Sequence, residues 1–192
     1  MIKLAIFTSA RSDFGVLKNI IENLIYDKRF NVSLVVNSAH TSKIFGNTSR
    51  EMAYLKLRKF YFRLNYKDSN EFAIIKNMKE ILSNSNKFLK NKKFDGAILL
   101  GDRYETMCFA LCCLIYKIPI IHLSGGSKTL GSIDNIFRNS ISSMAKIHLL
   151  ETYYHKKNLK KIGIKKRLFV VGAPAVEKID RNYKNMKLNK NE

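Results

Sequence analysis

The stretch Phe94-Asp95-Gly96-Ala97-Ile98-Leu99-Leu100, followed at once by Gly101-Asp102-Arg103-Tyr104-Glu105, decides how the rest of the chain reads. FDGAILL is continuously apolar rather than alternating, as expected of a strand buried on both faces of a parallel sheet. Upstream, Phe72 to Leu89 repeats Ile75, Met78, Ile81, Leu82 and Leu89 at helical spacing. Downstream, a helix from about Tyr104 to Tyr116 must end before Pro119, because the residue preceding a proline is pushed out of the helical region. The same unit recurs outward in both directions. Strands are expected at Ile2 to Phe7, Asn31 to Asn37, near Lys59 to Leu64, at Ile118 to Leu123, 147 to 150 and Leu168 to Val171. Helices are expected at Val16 to Ile25, Thr48 to Leu55 (short), Ile133 to Ala145 and Thr152 to Ile162. Apolar strands alternating with helices imply an α/β fold: one Rossmann-like domain with a doubly wound, mostly parallel sheet. It is expected to span residues 1–180, with 181–192 a polar tail or the start of an interdomain linker.

Composition removes several classes. A chain of 192 residues can bury one sizeable core, and its 46% hydrophobic and 26% charged residues are ordinary for a globular domain. No run approaches the roughly 18 apolar residues of a membrane span. The opening run before Arg11 is too short for a signal peptide, so a cytoplasmic location is expected. Cys108, Cys112 and Cys113 fall in one helix and form neither a disulfide framework nor a zinc motif. His40, His122, His148 and His155 show no metal-ligand spacing, so no metal is expected. The net charge of +20 raises nucleic acid as a partner. However, 26 Lys against 9 Arg reads as a solvated surface, and no groove-reading motif accompanies it.

In such a sheet ligands bind beyond the carboxyl ends of the strands. Three loops there are polar. Ser9-Ala10-Arg11-Ser12-Asp13-Phe14-Gly15 reads either as a phosphate seat using Arg11 and the helix amides, or as a helix start capped by Ser12 or Asp13. Gly101-Asp102-Arg103 sets a carboxylate beside an arginine, placed for general acid–base work. His122-Leu123-Ser124-Gly125-Gly126-Ser127-Lys128-Thr129 leads to Asp134 and Arg138, which share a helix face and are expected to pair. Gly125 and Gly126 would let backbone approach a ligand closely. A P-loop is rejected, since glycines are missing at His122 and Ser127, and no GxGxxG occurs.

Taken together, these loops resemble the hydrolysing UDP-N-acetylglucosamine 2-epimerases of sialic-acid and related pathways. The matching residues include Thr8 to Gly15, Phe45-Gly46-Asn47-Thr48, Gly101 to Glu105, Ile118 to His122, Gly125-Gly126, Lys128-Thr129, Asp134, Arg138, Ser140-Ile141, Met144-Ala145, His148 and Val171-Gly172-Ala173-Pro174-Ala175. The resemblance implies one half of a glycosyltransferase-B-like fold, with the active site between two Rossmann-like domains. It implies conversion of UDP-N-acetylglucosamine and water to N-acetylmannosamine and UDP, without metal or NAD. By the same resemblance Asp102 and Asp134 are catalytic carboxylates. Arg11 meets the diphosphate, Arg103 orients Asp102 or the ligand, His122 lines the cleft, and Ser12, Gly125, Gly126, Ser127 and Arg138 are substrate-binding. Where the family carries a glutamate, this chain has Ser127, which does not titrate near neutral pH. The other half of the cleft is expected from a C-terminal domain or second chain, and self-association is also expected. The alternative expectation is a truncated or non-catalytic module that binds a nucleotide sugar.

Overall fold

The computed structural model describes residues 1–42, 46–64, 70–129 and 131–176. Phe45 of the motif above, Leu130, and the expected tail at 181–192 lie outside the described residues, as does the domain boundary at 180.

Among the described residues seven parallel strands form one sheet in the order β3-β2-β1-β4-β5-β6-β7. They are β1 (Ile2–Thr8), β2 (Phe30–Val36), β3 (Arg58–Tyr61), β4 (Gly96–Leu100), β5 (Ile120–Leu123), β6 (Ile147–Leu150) and β7 (Leu168–Val170). The helices are α1 (Arg11–Tyr26), α2 (Glu71–Leu89), α3 (Tyr104–Ile115), α4 (Asp134–Met144) and α5 (Tyr153–Lys161). This is the α/β, doubly wound Rossmann-like sheet expected from the strand pattern.

Successive strand residues point to opposite faces, so a continuously apolar strand serves two cores at once. Ala5, Phe7, Ala97 and Leu99 pack with Ile81, Phe88 and Phe109 of α2 and α3. Leu4, Ile6, Ile98 and Leu100 pack with Phe14, Leu17 and Ile21 of α1. Phe7 stacks on Phe109 with ring centroids 4.8 Å apart, fixing α3 against β1. Complete burial of a Leu or Ile side chain is worth about 1.5–3 kcal/mol, so these two faces carry most of the driving force for folding.

Two elements differ from the sequence reading. Helix α1 starts at Arg11, five residues before the apolar repeat becomes visible, because it opens on the exposed polar pair Arg11 and Ser12. Its N-cap is Ala10, not Ser12 or Asp13, and Ala10 offers no side-chain acceptor. Asp13 instead reaches back, accepting the Ser9 hydroxyl and the Ser9 amide at 3.2 Å. The expected helix at 48–55 is a 3-10 turn over Thr48–Met52. No helix among the described residues is long and apolar enough to cross a membrane.

Candidate functional site

The strand order reverses between β1 and β4, and the loops after β1, β4 and β5 all emerge at that edge of the sheet. Two groups of side chains gather there.

The first lines a cavity of about 300 Å³ between the starts of α1 and α3, with Arg11, Ser12, Arg103 and Glu105 in its wall. The exposed Arg11 pairs loosely with Glu51 (Nε to Oε1, 2.9 Å), an ion pair whose net worth at a surface is about 0–1 kcal/mol. An incoming phosphate could therefore draw Arg11 away. The first amides of α1 have no side-chain cap, which suits an anion as well.

Glu105 is the residue that sequence reasoning does not single out. Its side chain is only 2% exposed, on the first turn of α3. Burial pushes its carboxyl pKa up, against the pull of the Arg103 guanidinium 3.4 Å away. The signal was its place one residue into a helix that begins directly at the switch point.

The second group centres on Arg138, which is 6% exposed. One terminal nitrogen donates to the carboxylate of Asp102 and to Thr129 Oγ1 at 3.2 Å. The other donates to the Ser127 carbonyl at 2.9 Å and to Asn135 Oδ1 at 3.0 Å. Its buried Nε has no partner among the described residues, so four of five donors are engaged. Burial lowers the Arg138 pKa, and Glu151 opposes that shift.

One expected pairing is thus corrected. Arg138 does not turn to Asp134, one helical turn away; it crosses to Asp102, which lies on another loop. Asp134 accepts instead from Ser132 Oγ at 2.7 Å. Arg103 pairs with Glu105, Nε to Oε2 at 3.4 Å. The sequence spacing gave the shared face of Asp134 and Arg138, yet the buried arginine reached the more demanding partner.

His122 is also not at the surface of the cleft. It is fully buried, with Nε2 2.9 Å from the Gly101 carbonyl and Nδ1 2.9 Å from Ser142 Oγ. A carbonyl only accepts, so Nε2 carries the proton and Nδ1 takes the serine hydroxyl of α4. The ring thereby ties the turn before Asp102 to α4, which carries Arg138. Gly125 and Gly126 likewise face the protein rather than open space. A Cβ on Gly125 would stand 2.9 Å from Ser142 Oγ, and one on Gly126 would stand 2.3 Å from the His155 carbonyl oxygen. Ser127 contributes its carbonyl to Arg138, and Ser124 is held at φ +62° while donating to Glu151 at 2.7 Å. No group of three or more His, Cys, Asp or Glu among the described residues could hold a metal.

A pH dependence follows from the buried rings. Burial lowers the pKa values of His122 and His40 from 6.5 to about 4. Both stay neutral in the fold while the unfolded chain takes up protons below about 6.5. Stability is full above that pH and is lost as pH falls toward 4, by about 2 kcal/mol per ring at pH 5. Urea midpoints at pH 7 and pH 5 test this; equal midpoints would show that the rings are not buried neutral.

The chain as a whole is similar to known proteins. Residues 22–192 match a family model described as UDP-N-acetylglucosamine 2-epimerase. A Campylobacter jejuni protein named GDP/UDP-N,N'-diacetylbacillosamine 2-epimerase (hydrolyzing) is 34% identical over 188 residues, covering 96% of this chain and 49% of that protein. Polysialic acid biosynthesis protein P7 of Escherichia coli is 29% identical over 92% of this chain and 46% of its own. The chain spans about half the length of the curated relatives it matches. Among solved structures, Methanocaldococcus jannaschii UDP-GlcNAc 2-epimerase in complex with UDP-GlcNAc and UDP superposes with a TM-score of 0.81 at 23% identity, covering 99% of this chain and 52% of that one. UDP-GlcNAc 2-epimerase from Neisseria meningitidis bound to UDP-GlcNAc gives 0.79 at 18% identity, covering 98% and 51%.

Proposed function

Because this chain belongs to the UDP-N-acetylglucosamine 2-epimerase family, we propose that it forms the catalytic half of a hydrolysing 2-epimerase acting on a UDP-linked 2-acetamido sugar. The observation that carries this reading is Asp102, fixed by the buried Arg138 at the carboxyl edge of β4, beside a crevice with two arginines. A carboxylate so held is a positioned base, and the crevice suits a diphosphate.

The reaction runs as elimination, then hydration. One carboxylate removes the proton at sugar C2 while the C1–O bond to UDP breaks, leaving a 2-acetamido glycal and free UDP. Water then adds across the double bond, its hydroxyl to C1 and a proton to C2 from the opposite face. From UDP-N-acetylglucosamine the products are N-acetylmannosamine and UDP, a starting unit for nonulosonic acids such as sialic acid. Asp102 and Asp134 share the proton transfers, Arg11 and Ser12 at the start of α1 hold the diphosphate, and Arg103 keeps Glu105 oriented in the crevice wall. His122 acts behind the loop, holding Gly101 and hence Asp102.

The second wall of the cleft comes, in this reading, from another Rossmann-like domain, in the same polypeptide or a partner chain. Relatives of twice the length support that. The test combines this chain with a matching second domain and follows UDP release from UDP-N-acetylglucosamine and from UDP-N,N'-diacetylbacillosamine. Release from either is expected. Binding by calorimetry without release, unchanged by Ser127→Glu, would favour a nucleotide-sugar-binding module instead. Neither heat nor release would remove both readings.

A further inference from the structure

The opposite, amino-terminal edge of the sheet holds a second concavity of about 300 Å³. It is framed by the starts of β1, β2 and β3 and the approach to β4, with Lys3, Arg58, Lys92 and Lys93 in its lining. Phe60 and Phe94 supply apolar wall. No Asp or Glu is among the described lining residues. Of the two carboxylates nearby in sequence, Asp95 accepts the backbone amide of the lining residue Lys3 at 2.8 Å, and Asp27 is closed on the Arg29 guanidinium at 2.6 Å.

Lys92 is fixed rather than free. Its ammonium donates to the Phe88 carbonyl at 2.9 Å and lies 4.3 Å and 4.5 Å from the ring centres of Phe88 and Phe60. Such a seat holds a positive charge in one place without neutralising it. Arg58 adds a planar fork that matches phosphate oxygens, and Lys3 and Lys93 add point charges.

We propose that this concavity binds a small phosphorylated metabolite, its phosphate among Lys3, Arg58 and Lys93 and its organic body against Phe60 and Phe94. The shape favours a compact ligand over nucleic acid. The cations surround a hollow of small-ligand size instead of forming a stripe. The rings also pack on one another, Phe60 on Phe88 at 4.7 Å and Phe88 on Phe94 at 5.3 Å, rather than standing as platforms for successive bases. The site lies at the far end of the strands from Asp102 and does not depend on the epimerase reading.

The test is a titration of the ¹⁵N-labelled chain with inorganic phosphate, AMP and glucose 6-phosphate, read by amide chemical shifts. Saturable shifts at residues 3, 31, 58 and 91–94 are expected for AMP or glucose 6-phosphate. The exposed double variant Arg58→Gln/Lys93→Gln should weaken that binding by about tenfold or more with an unchanged melting temperature. Shifts scattered over the lysines, shifts confined to residues 10–13, or no saturation by any of the three would overturn the proposal. So would tighter occupancy of the same amides by a short DNA duplex.

Discussion

Asp102→Asn should lower UDP release by about a hundredfold to ten-thousandfold in the assembled two-domain protein while leaving the chain folded. The amide is nearly isosteric and keeps an oxygen to accept from Arg138, so the geometry of the network can survive. What it loses is the capacity to take a proton, since an amide is neither a base nor an acid near neutral pH. Arg138→Lys probes the same contact from the other side. Lysine retains the charge but cannot serve Asp102, Thr129, Ser127 and Asn135 from one planar group. Turnover measured as UDP formed, with circular dichroism to confirm folding, checks both. A folded Asp102→Asn protein within about threefold of the parent would take Asp102 out of the chemistry.

Gly126→Ala should cost about 4 kcal/mol of stability, a fall of about 10 °C in melting temperature for a chain of this size. Two effects add. Gly126 has φ +77°, where an L side chain is strained. The new Cβ would also meet the His155 carbonyl oxygen at 2.3 Å, an obstacle of main chain at the start of α5 that no rotamer change relieves. The Gly126 carbonyl accepts from Asn158 at 2.9 Å, so pushing the loop off α5 breaks that bond too. Gly163→Ala separates the two effects, because Gly163 has φ +90° with open space around its missing Cβ. It should cost about 1 kcal/mol. Thermal melts of the two variants side by side decide the matter. Equal losses would mean that α5 yields easily and that close approach is not what Gly126 provides.

The fold was legible because its signal is local. Each buried strand, such as Ala97 to Leu100, announces itself by continuous apolarity, and each helix by its repeat. The start of α1 was less legible, since Arg11 and Ser12 are exposed, Asp13 turns back to Ser9, and the three carry no apolar periodicity. For the candidate site, the sequence indicated which loops matter but not who bonds to whom. Asp134 and Arg138 are one turn apart, and only the assembled sheet shows that Asp102, 36 residues upstream of Arg138, lies within reach. His122 and the glycine pair were misplaced for the same reason. A buried histidine and a ligand-facing one have the same sequence context, and Gly126 is required by α5, which lies far along the chain.

The strand order has a kinetic consequence. β1 ends up at the middle of the sheet, but its two neighbours differ greatly in distance along the chain. It pairs Ile2 with Phe30 on one side and Leu4 with Gly96 on the other. The β3-β2-β1 half can therefore close early through the connections from Thr8 to Phe30 and from Val36 to Arg58, whereas the β1–β4 ladder must wait for a much longer one. Until then the backbone of Leu4 to Ile6 is an open strand edge with apolar side chains, the part of a nascent chain most apt to join a neighbour. Chaperone dependence and losses to aggregation should concentrate in that interval. Changes that slow β4 docking should lower soluble yield even where they leave the finished protein equally stable.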